Sequence, residues 1–302
     1  MQWASAISTA SDPKTALTEI KRSISEQLGG PHADLICAFV SPQYGEGLAH
    51  ISERVLAHFA PRAFIGCTGS GIVGGLREIE EVPAVSICAA RLPGVELRTF
   101  HLETFPGPDE GPEAWEKALG VPRAEPTCFV LLADPVGPPA CDPRSLLAGI
   151  DYAYPQGVQI GGLASALEGN TLFVDQDLHY SGLVGVALQG NIQVDTIVAQ
   201  GSRPIGSPMT ITHCEDQILH QLDNQPAVQV LVALYQSLLP RDQERMRYGL
   251  QLGVAATELK EQLKPGDFLI RNVIHLDQER GFLAVGENLR QGQTVQFHLR
   301  DA

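Results

Sequence analysis

Two stretches of the chain show the same order of hydrophobic patterns, and this order predicts an internal duplication. The first stretch, residues 33–104, begins with a strand-like apolar run, continues with a helical pattern and reaches a second apolar run that ends in glycines. The second stretch, residues 126–200, repeats that order. Further short apolar runs follow each glycine loop and predict antiparallel strands. We therefore expect two copies of one strand–helix–strand–meander unit.

The same periodicities predict the other elements of the N-terminal part. A helix starts at Pro13 with Asp12 as its cap and stops at Gly29 and Gly30. Further helices are predicted at residues 46–59, 113–119 and 143–152. Strands are predicted at residues 34–41, 84–90, 95–102, 127–134, 171–175, 182–188 and 194–200.

The composition changes after residue 202, so we place a domain boundary close to Arg203. The first domain then spans residues 1–202 and the second spans residues 203–302. The second domain is predicted to hold a helix that opens at residues 223–226, and strands at residues 209–212, 268–276, 282–285 and 294–299. The predicted fold class is α/β in the mixed α+β sense. Layered sheets form the duplicated N-terminal domain, and a smaller α+β module follows it.

Length and charge restrict the classes of partner. The 302 residues carry 21 Lys and Arg against 35 Asp and Glu, a formal net charge of −14. Such a field repels phosphate backbones and anionic lipid head groups, so neither nucleic acid nor a membrane is an expected partner. The chain shows no spanning apolar run and starts without a signal-peptide pattern, which predicts a cytoplasmic protein. The six cysteines form no C-x-x-C pair and are expected to be reduced.

The first glycine loop, residues 66–75, contains G-x-G-x-x-G from Gly69 to Gly74, but its context argues against a nucleotide site. A dinucleotide fingerprint opens a helix that offers its N-terminus to the pyrophosphate. Here only a few residues separate the loop from Pro83, where an extended segment begins. No Lys-Ser or Lys-Thr follows the glycines, so the P-loop pattern also fails. The alternative is close packing of backbone between the two copies at these glycines.

Candidate ligand-binding residues cluster at the two glycine loops, which we expect to face each other across a pocket. Hydroxyl and guanidinium groups near backbone donors suit a small carboxylate or an amino acid. For Arg77 and Arg203 the alternative is a surface ion pair with Glu78, Glu80 or Glu81, or an ion pair with a residue of the other module. The candidate residues are Gly66, Cys67, Thr68, Gly69, Ser70, Arg77, Gly161, Gly162, Ser165 and Arg203.

Catalytic and metal sites are not predicted. Cys67 heads the first loop and is a possible nucleophile, but no histidine stands in a recognisable catalytic setting and no G-x-S-x-G motif occurs. The segment His213 to His220 contains metal-ligating residue types without a second ligand pair at zinc spacing. We therefore predict no catalytic residue, no metal and no cofactor.

Short motifs in order along nearly the whole chain resemble the FIST-domain family. They are residues 3–6 (WASA), 65–68 (IGCT), 161–162 (GG), 203–206 (RPIG), 222–227 (LDNQPA), 281–286 (GFLAVG) and 297–301 (FHLRD). The resemblance implies a FIST N part followed by a FIST C part, in a family regarded as sensory modules that bind small ligands such as amino acids. Family members usually continue beyond the strand that ends here, so the FIST C-like module is expected to be incomplete.

These observations lead to one hypothesis and two alternatives. The hypothesis is a non-enzymatic cytoplasmic signal-input protein that binds an amino acid or small carboxylate and passes the signal to a separate signalling or scaffold protein. The first alternative is an interaction scaffold in which the loops are structural and an open sheet edge near Leu299 recruits another chain. The second is a hydrolase or transferase that depends on a reactive Cys67.

Overall fold

The computed structural model describes residues 1–107, 110–123, 125–138, 142–166, 169–196, 201–255 and 267–300. The chain divides into two compact units, unit 1 at Met1–Asp195 and unit 2 at Thr196–Ala302. The units are described separately below. The predicted domain boundary at residue 203 stays a prediction.

Unit 1 alternates helices and strands along its whole length. Its helices are α1 (Pro13–Leu28), α2 (Gly47–Phe59), α3 (Pro112–Leu119) and α4 (Pro143–Ala153). Its strands are β1 (Gln2–Ser8), β2 (Leu35–Val40), β3 (Ala63–Thr68), β4 (Gly71–Gly74), β5 (Arg77–Glu80), β6 (Val85–Arg91), β7 (Val95–Leu102), β8 (Cys128–Ala133), β9 (Val158–Leu163), β10 (Leu172–Val174), β11 (Asp177–His179) and β12 (Leu183–Gly190).

Local signals fix the ends of the first helix as the sequence predicts. The Asp12 carboxylate accepts a hydrogen bond of 3.0 Å from the backbone N–H of Thr15, which satisfies a donor that the first turn leaves unpaired. At the other end Gly29 adopts a left-handed conformation with φ of 68°. A glycine enters this region without the steric cost of a Cβ, so the helix ends there.

The strands of unit 1 form two main sheets that pack face to face between two layers of helices. The larger sheet has the order β1-β6-β2-β3-β10-β11, and the smaller has the order β7-β12-β8-β9. Apolar side chains of both sheets, such as Ile65, Leu132 and Val186, form a core between them. The helices α1 and α2 cover the outer face of the larger sheet. The helices α3 and α4 cover the smaller sheet in the same way.

Both sheets contain the same four-strand arrangement. The order β1-β6-β2-β3 in one matches β7-β12-β8-β9 in the other. In each, the last two strands are parallel and the remaining neighbours are antiparallel. By this criterion β7 corresponds to β1 and begins the second half, whereas the sequence pattern assigns it to the end of the first copy. The duplication itself stays a prediction.

The two halves differ at the outer edge of their parallel strand pair. The short strand β10, from the second half, pairs antiparallel with β3 and brings Leu172 opposite Cys67 and Phe173 opposite Gly66. All six residues of β3 are therefore buried. The corresponding strand β9 pairs with β8 alone among the described strands. Its residues Ile160 to Leu163 are exposed.

A glycine is required at the fourth position of both edge-side strands. A Cβ on Gly66 would lie 2.4 Å from the carbonyl oxygen of Ala38, and one on Gly161 would lie 1.8 Å from that of Leu131. Gly161 also has a φ of 157°, a backbone conformation that residues with a side chain rarely adopt. In both cases the close neighbour is the adjacent strand of the same half, whereas the structural alternative for these glycines expects close packing between the two copies.

Unit 2 is built on one strongly bent sheet. Its elements are β13 (Ser202–Glu215), β14 (Ile218–Leu222), β15 (Gln225–Pro226), α5 (Ala227–Ser237), α6 (Pro240–Gly249), β16 (Leu250–Ala255), β17 (Phe268–Asp277), β18 (Phe282–Val285) and β19 (Thr294–Arg300). The order is β13-β19-β16-β17-β18-β14-β15, and the long strand β13 also pairs with β14, so the sheet closes on itself.

The predicted open edge near Leu299 is wrong. Leu299 faces Arg203 of β13 on one side and Leu250 of β16 on the other. The strand β19 is therefore internal to the sheet and offers no free edge at this residue. The prediction is wrong because the sequence pattern did not reveal β16, which is the second neighbour of β19.

Most predicted elements are confirmed to within a few residues, and the exceptions have local causes. The helix expected from residue 223 begins at Ala227, because Asp223 and Asn224 have φ values of 47° and 61° and form a turn between strands. Residues 194–196 form no strand, and residues 197–200 lie outside the described residues. The sequence also missed the hairpin of β4 and β5, the strands β1, β11, β14, β15 and β16, and the helix α6.

Gly161→Ala is expected to lower the free energy of unfolding by about 2–4 kcal/mol, because its Cβ meets backbone that has little room to move. The neighbouring Gly162→Ala is the matched control, since no atom lies within 4 Å of its Cβ position. We expect that variant to match or slightly exceed the wild-type protein. Urea unfolding followed through the fluorescence of buried Trp115 measures both. Equal losses in the two variants would contradict this account.

Candidate functional site

The two loops that follow β3 and β9 contact each other directly. The backbone N–H of Ser70 donates to the Ser165 hydroxyl oxygen at 3.2 Å, and the two hydroxyl oxygens lie 3.5 Å apart. The backbone N–H of Ser165 donates to the carbonyl of Thr68 at 3.2 Å. The loops predicted to face each other are thus together, but hydrogen bonds join them where the sequence suggests a pocket.

Thr68 ties the first loop to the second half of unit 1. Its hydroxyl oxygen accepts a hydrogen bond of 2.9 Å from the backbone N–H of Thr171. Its own backbone N–H donates to the carbonyl of Thr171 at 2.9 Å. Both threonines are buried. Thr68 therefore has a positioning role that burial and pairing explain without a ligand.

A cleft of about 830 Å³ opens beside the paired serines, and we call it the Asp134 cleft. It lies where β8 and β9 end, at the carboxyl edge of a parallel strand pair, which is a common place for ligand sites in α/β sheets. Its described lining comes from two segments and one side chain, namely residues 134–138, the parts of residues 163–171 that the structure describes, and Tyr180.

Asp134 is the one charged residue among the described lining residues of this cleft. It is 1% exposed. Its Oδ1 accepts hydrogen bonds from the backbone N–H of Val136 at 2.9 Å and from the Asn170 side-chain amide at 2.8 Å. The side-chain oxygen of Asn170 in turn accepts a hydrogen bond of 2.8 Å from the backbone N–H of Ala166. Within the described residues, Oδ2 of Asp134 accepts no hydrogen bond. It lies beside Gly137, where a Cβ would be 2.3 Å away.

Ser165 is among the site residues that the sequence predicts, whereas Asp134 and Asn170 are not. Asp134 closes the predicted strand at residues 127–134, and a carboxylate directly after a buried strand is a signal that could have identified it. Asn170 offers no such signal, because it meets Asp134 only after the chain has passed through β9 and turned back.

The other predicted residues of the glycine loops occupy separate places. Gly66 and Cys67 are inside the larger sheet, where β10 pairs with their strand. Gly69 adjoins the paired serines, since its Cβ would lie 3.5 Å from the Ser165 hydroxyl. Gly161 and Gly162 line a second, apolar cleft of about 270 Å³ on the helix side of β9. Their role as ligand contacts stays a prediction.

The two selected arginines lie away from the Asp134 cleft or in the other unit. Arg77 is exposed at the start of β5, opposite Gly74 in a two-stranded hairpin. Arg203 belongs to β13 of unit 2 and forms an ion pair with Asp242 of α6. An ion pair is the alternative expected for Arg203, but its partner Asp242 lies in the same unit and not among the partners that the sequence suggests. Neither arginine is among the residues that line the Asp134 cleft.

The environment of Cys67 is that of a structural thiol. The side chain is 5% exposed and packs in the core between the two sheets. Burial raises the pKa of the Cys67 thiol to about 12. The nucleophilic thiolate is therefore scarce at neutral pH, which weighs against the hydrolase or transferase alternative.

Metal-ligating side chains do not converge in the part of the chain that the structure describes. No group of three His, Cys, Asp or Glu residues there could hold an ion. In the segment singled out from the sequence, the rings of His213 and His220 stack with centroids 4.8 Å apart. Stacked rings present their faces to each other, so their nitrogens do not converge on one ion.

The arrangement of the chain agrees with its sequence relationships. Residues 34–225 match the FIST N domain, and residues 227–302 match the FIST C domain. The chain belongs to the FIST family. Among curated relatives, an uncharacterized protein of Mycobacterium tuberculosis, Rv0628c, is 33% identical over 98% of this chain and 76% of the relative. Another, Mb0898c of Mycobacterium bovis, is 30% identical over 98% of this chain and 75% of the relative.

FIST membership assigns the chain to a class of sensory domains in signal transduction. The family is a sensory and ligand-binding one. Among the described helices, none combines the length and the apolar character that a bilayer crossing needs. The Asp134 cleft lies within the FIST N match, and so do both glycine loops.

Cys67 in the folded protein is expected to resist alkylation by iodoacetamide at pH 8, because its raised pKa and burial leave little accessible thiolate. Intact-mass and peptide mass spectrometry measure the modified fraction over time. The same reagent applied in denaturant is the control, and there Cys67 should react. Rapid alkylation of Cys67 in the folded protein would revive the thiol-enzyme alternative.

Proposed function

We propose that this FIST protein is a non-enzymatic cytoplasmic signal-input protein that binds an amino acid in the Asp134 cleft. The observation that carries the proposal is the buried Asp134 carboxylate, whose Oδ2 accepts no hydrogen bond from the described residues while Oδ1 is fully engaged. The cleft volume of about 830 Å³ falls in the range of small-molecule sites.

The charge of Asp134 favours a ligand with an ammonium group. A buried carboxylate is costly unless a cation or several donors satisfy it. An α-amino group brings three donors and a positive charge to Oδ2. A simple carboxylate would meet like charge there, and no described lining residue supplies a compensating cation. Of the two ligand classes that the sequence suggests, amino acids are therefore the better fit.

The Ser165 hydroxyl supplies a polar group at one side of the cleft and links it to the first glycine loop through Ser70. A ligand that donates a hydrogen bond to the Ser165 hydroxyl oxygen competes with the backbone N–H of Ser70, which donates to the same oxygen. Ligand binding can thus change how the two loops meet. We propose that a separate signalling partner responds to this change.

Asp134→Asn should abolish or weaken amino-acid binding at least tenfold, because it removes the charge while keeping an oxygen for the bonds from Val136 and Asn170. Glu53→Gln is the matched control, since it removes one negative charge from an exposed position on α2. The measurement is a thermal-shift screen of the amino acids and of small carboxylates, with isothermal titration calorimetry of each hit.

The screen also separates the remaining alternatives. No stabilisation by any amino acid would contradict the proposal. Binding of carboxylates that Asp134→Asn strengthens would place an anion, not an ammonium group, in the cleft. Binding that the Asp134 and Glu53 variants reduce equally would show that general charge and not the cleft is responsible.

A further inference from the structure

The outer edge of β9 differs from the equivalent edge of β3 in the first half of unit 1. In the first half, β10 covers the edge of β3 and buries it. In the second half, no described strand covers the edge of β9. Ile160 and Leu163 are 39% and 52% exposed there, and Leu147 of the adjacent α4 is 42% exposed.

The composition of β9 is that of a covered strand. It reads Val-Gln-Ile-Gly-Gly-Leu, with neither a charged residue nor a proline. Native proteins usually protect an exposed sheet edge with lysine, proline or a bulge, because free N–H and C=O groups invite another strand. The register of β9 with β8 shows no bulge. Nothing in the strand thus discourages pairing.

The first half shows what kind of strand fits such an edge. Phe173 of β10 stands opposite Gly66, and its ring lies 3.1 Å from where a Cβ of Gly66 would be. The ring extends into the apolar cluster beneath α1 and α2. Its neighbours Leu172 and Val174 turn to the opposite face, into the core between the sheets. The pattern is aliphatic, aromatic, aliphatic.

The second half has an empty space at the position equivalent to that of Phe173. Gly161 is the fourth residue of β9, as Gly66 is of β3. The apolar cleft of about 270 Å³ lies over Gly161 on the helix side of the sheet, with Leu146 and Leu147 of α4 among its lining. It has room for one large apolar side chain.

We propose that the β9 edge binds an extended strand of a separate polypeptide, antiparallel, with an aromatic residue opposite Gly161 and aliphatic residues on either side. The chain's own hairpin is a poor occupant, since Ile72 of β4 is buried and Gly74 packs closely against Ile7. Pairing with β9 of a second copy would leave the cleft unfilled, because β9 contains no aromatic residue.

This inference does not depend on the small ligand, so its test is done without amino acids. The probe is a fluorescent peptide with the sequence of residues 169–180, which carries the Leu-Phe-Val triplet of β10. Fluorescence anisotropy with the full chain should show saturable binding. The peptide with Phe173→Ala should bind at least tenfold more weakly, because the aromatic side chain fills the cleft.

Two protein variants locate the binding surface. Leu147→Glu places a charge at the rim of the cleft and should weaken peptide binding at least tenfold. Leu239→Glu is the matched control, since Leu239 is 72% exposed in unit 2, and it should leave binding unchanged. Circular dichroism melting of both variants checks that they fold. Hydrogen exchange should show that the peptide protects the amides of residues 158–163.

Specific outcomes would overturn the proposal. Absence of saturable binding would do so, as would equal affinity for the two peptides. Protection of a segment other than β9 would also contradict it. Light scattering tests whether a second copy of the chain binds the edge instead. A dimer that the Leu147→Glu substitution dissociates would show this and contradict the proposal.

Discussion

The pairing of β10 with β3 is the interaction on which the arrangement of unit 1 depends. Three residues from the second half complete the sheet of the first half, and their side chains enter the apolar layers on both faces of it. This pairing brings Thr171 to Thr68, and from there Ser165 to Ser70. Buried backbone groups need partners within the protein, and each of the two threonines donates one hydrogen bond to the other and accepts one from it.

The same constraint places the Asp134 cleft. The chain leaves β9, touches the first glycine loop at Ser165, and returns as β10. Between these points it passes Asn170, whose amide holds Asp134 and whose oxygen holds Ala166. The carboxylate at the end of β8 is thereby buried but only half engaged. In the Asp134 side chain, Oδ1 thus accepts structural hydrogen bonds, whereas Oδ2 accepts none from the described residues.

Equivalent positions in the two halves of unit 1 have different surroundings. Gly66 and Gly161 both allow the close approach of a neighbouring strand. Above Gly66 lies the ring of Phe173, and above Gly161 lies an open apolar cleft. The paired serines are also equivalent by position in the two loops. The proposed strand-binding edge of β9 therefore lies where the two halves are not alike.

The sequence by itself determined many of the individual elements, because their signals are local. Asp12 with Pro13 and Gly29 set the first helix, and apolar runs marked β2, β3, β8 and β9. Among candidate site residues, it placed Ser70 and Ser165 in two loops that do meet. Burial makes Cys67 and Gly66 parts of the core, which their loop position could not reveal.

Only the tertiary structure decided which strands are neighbours and which groups converge. The sequence contains no signal that β10 joins β3 or that β19 is internal, because strand pairing depends on contacts far apart in the chain. Asp134 and Asn170 became a site through the same long-range pairing. Arg77 and Arg203 share a residue type with anion sites, but their side chains lie on a separate hairpin and in the other unit. Residue type is a property of the sequence, whereas convergence is a property of the fold.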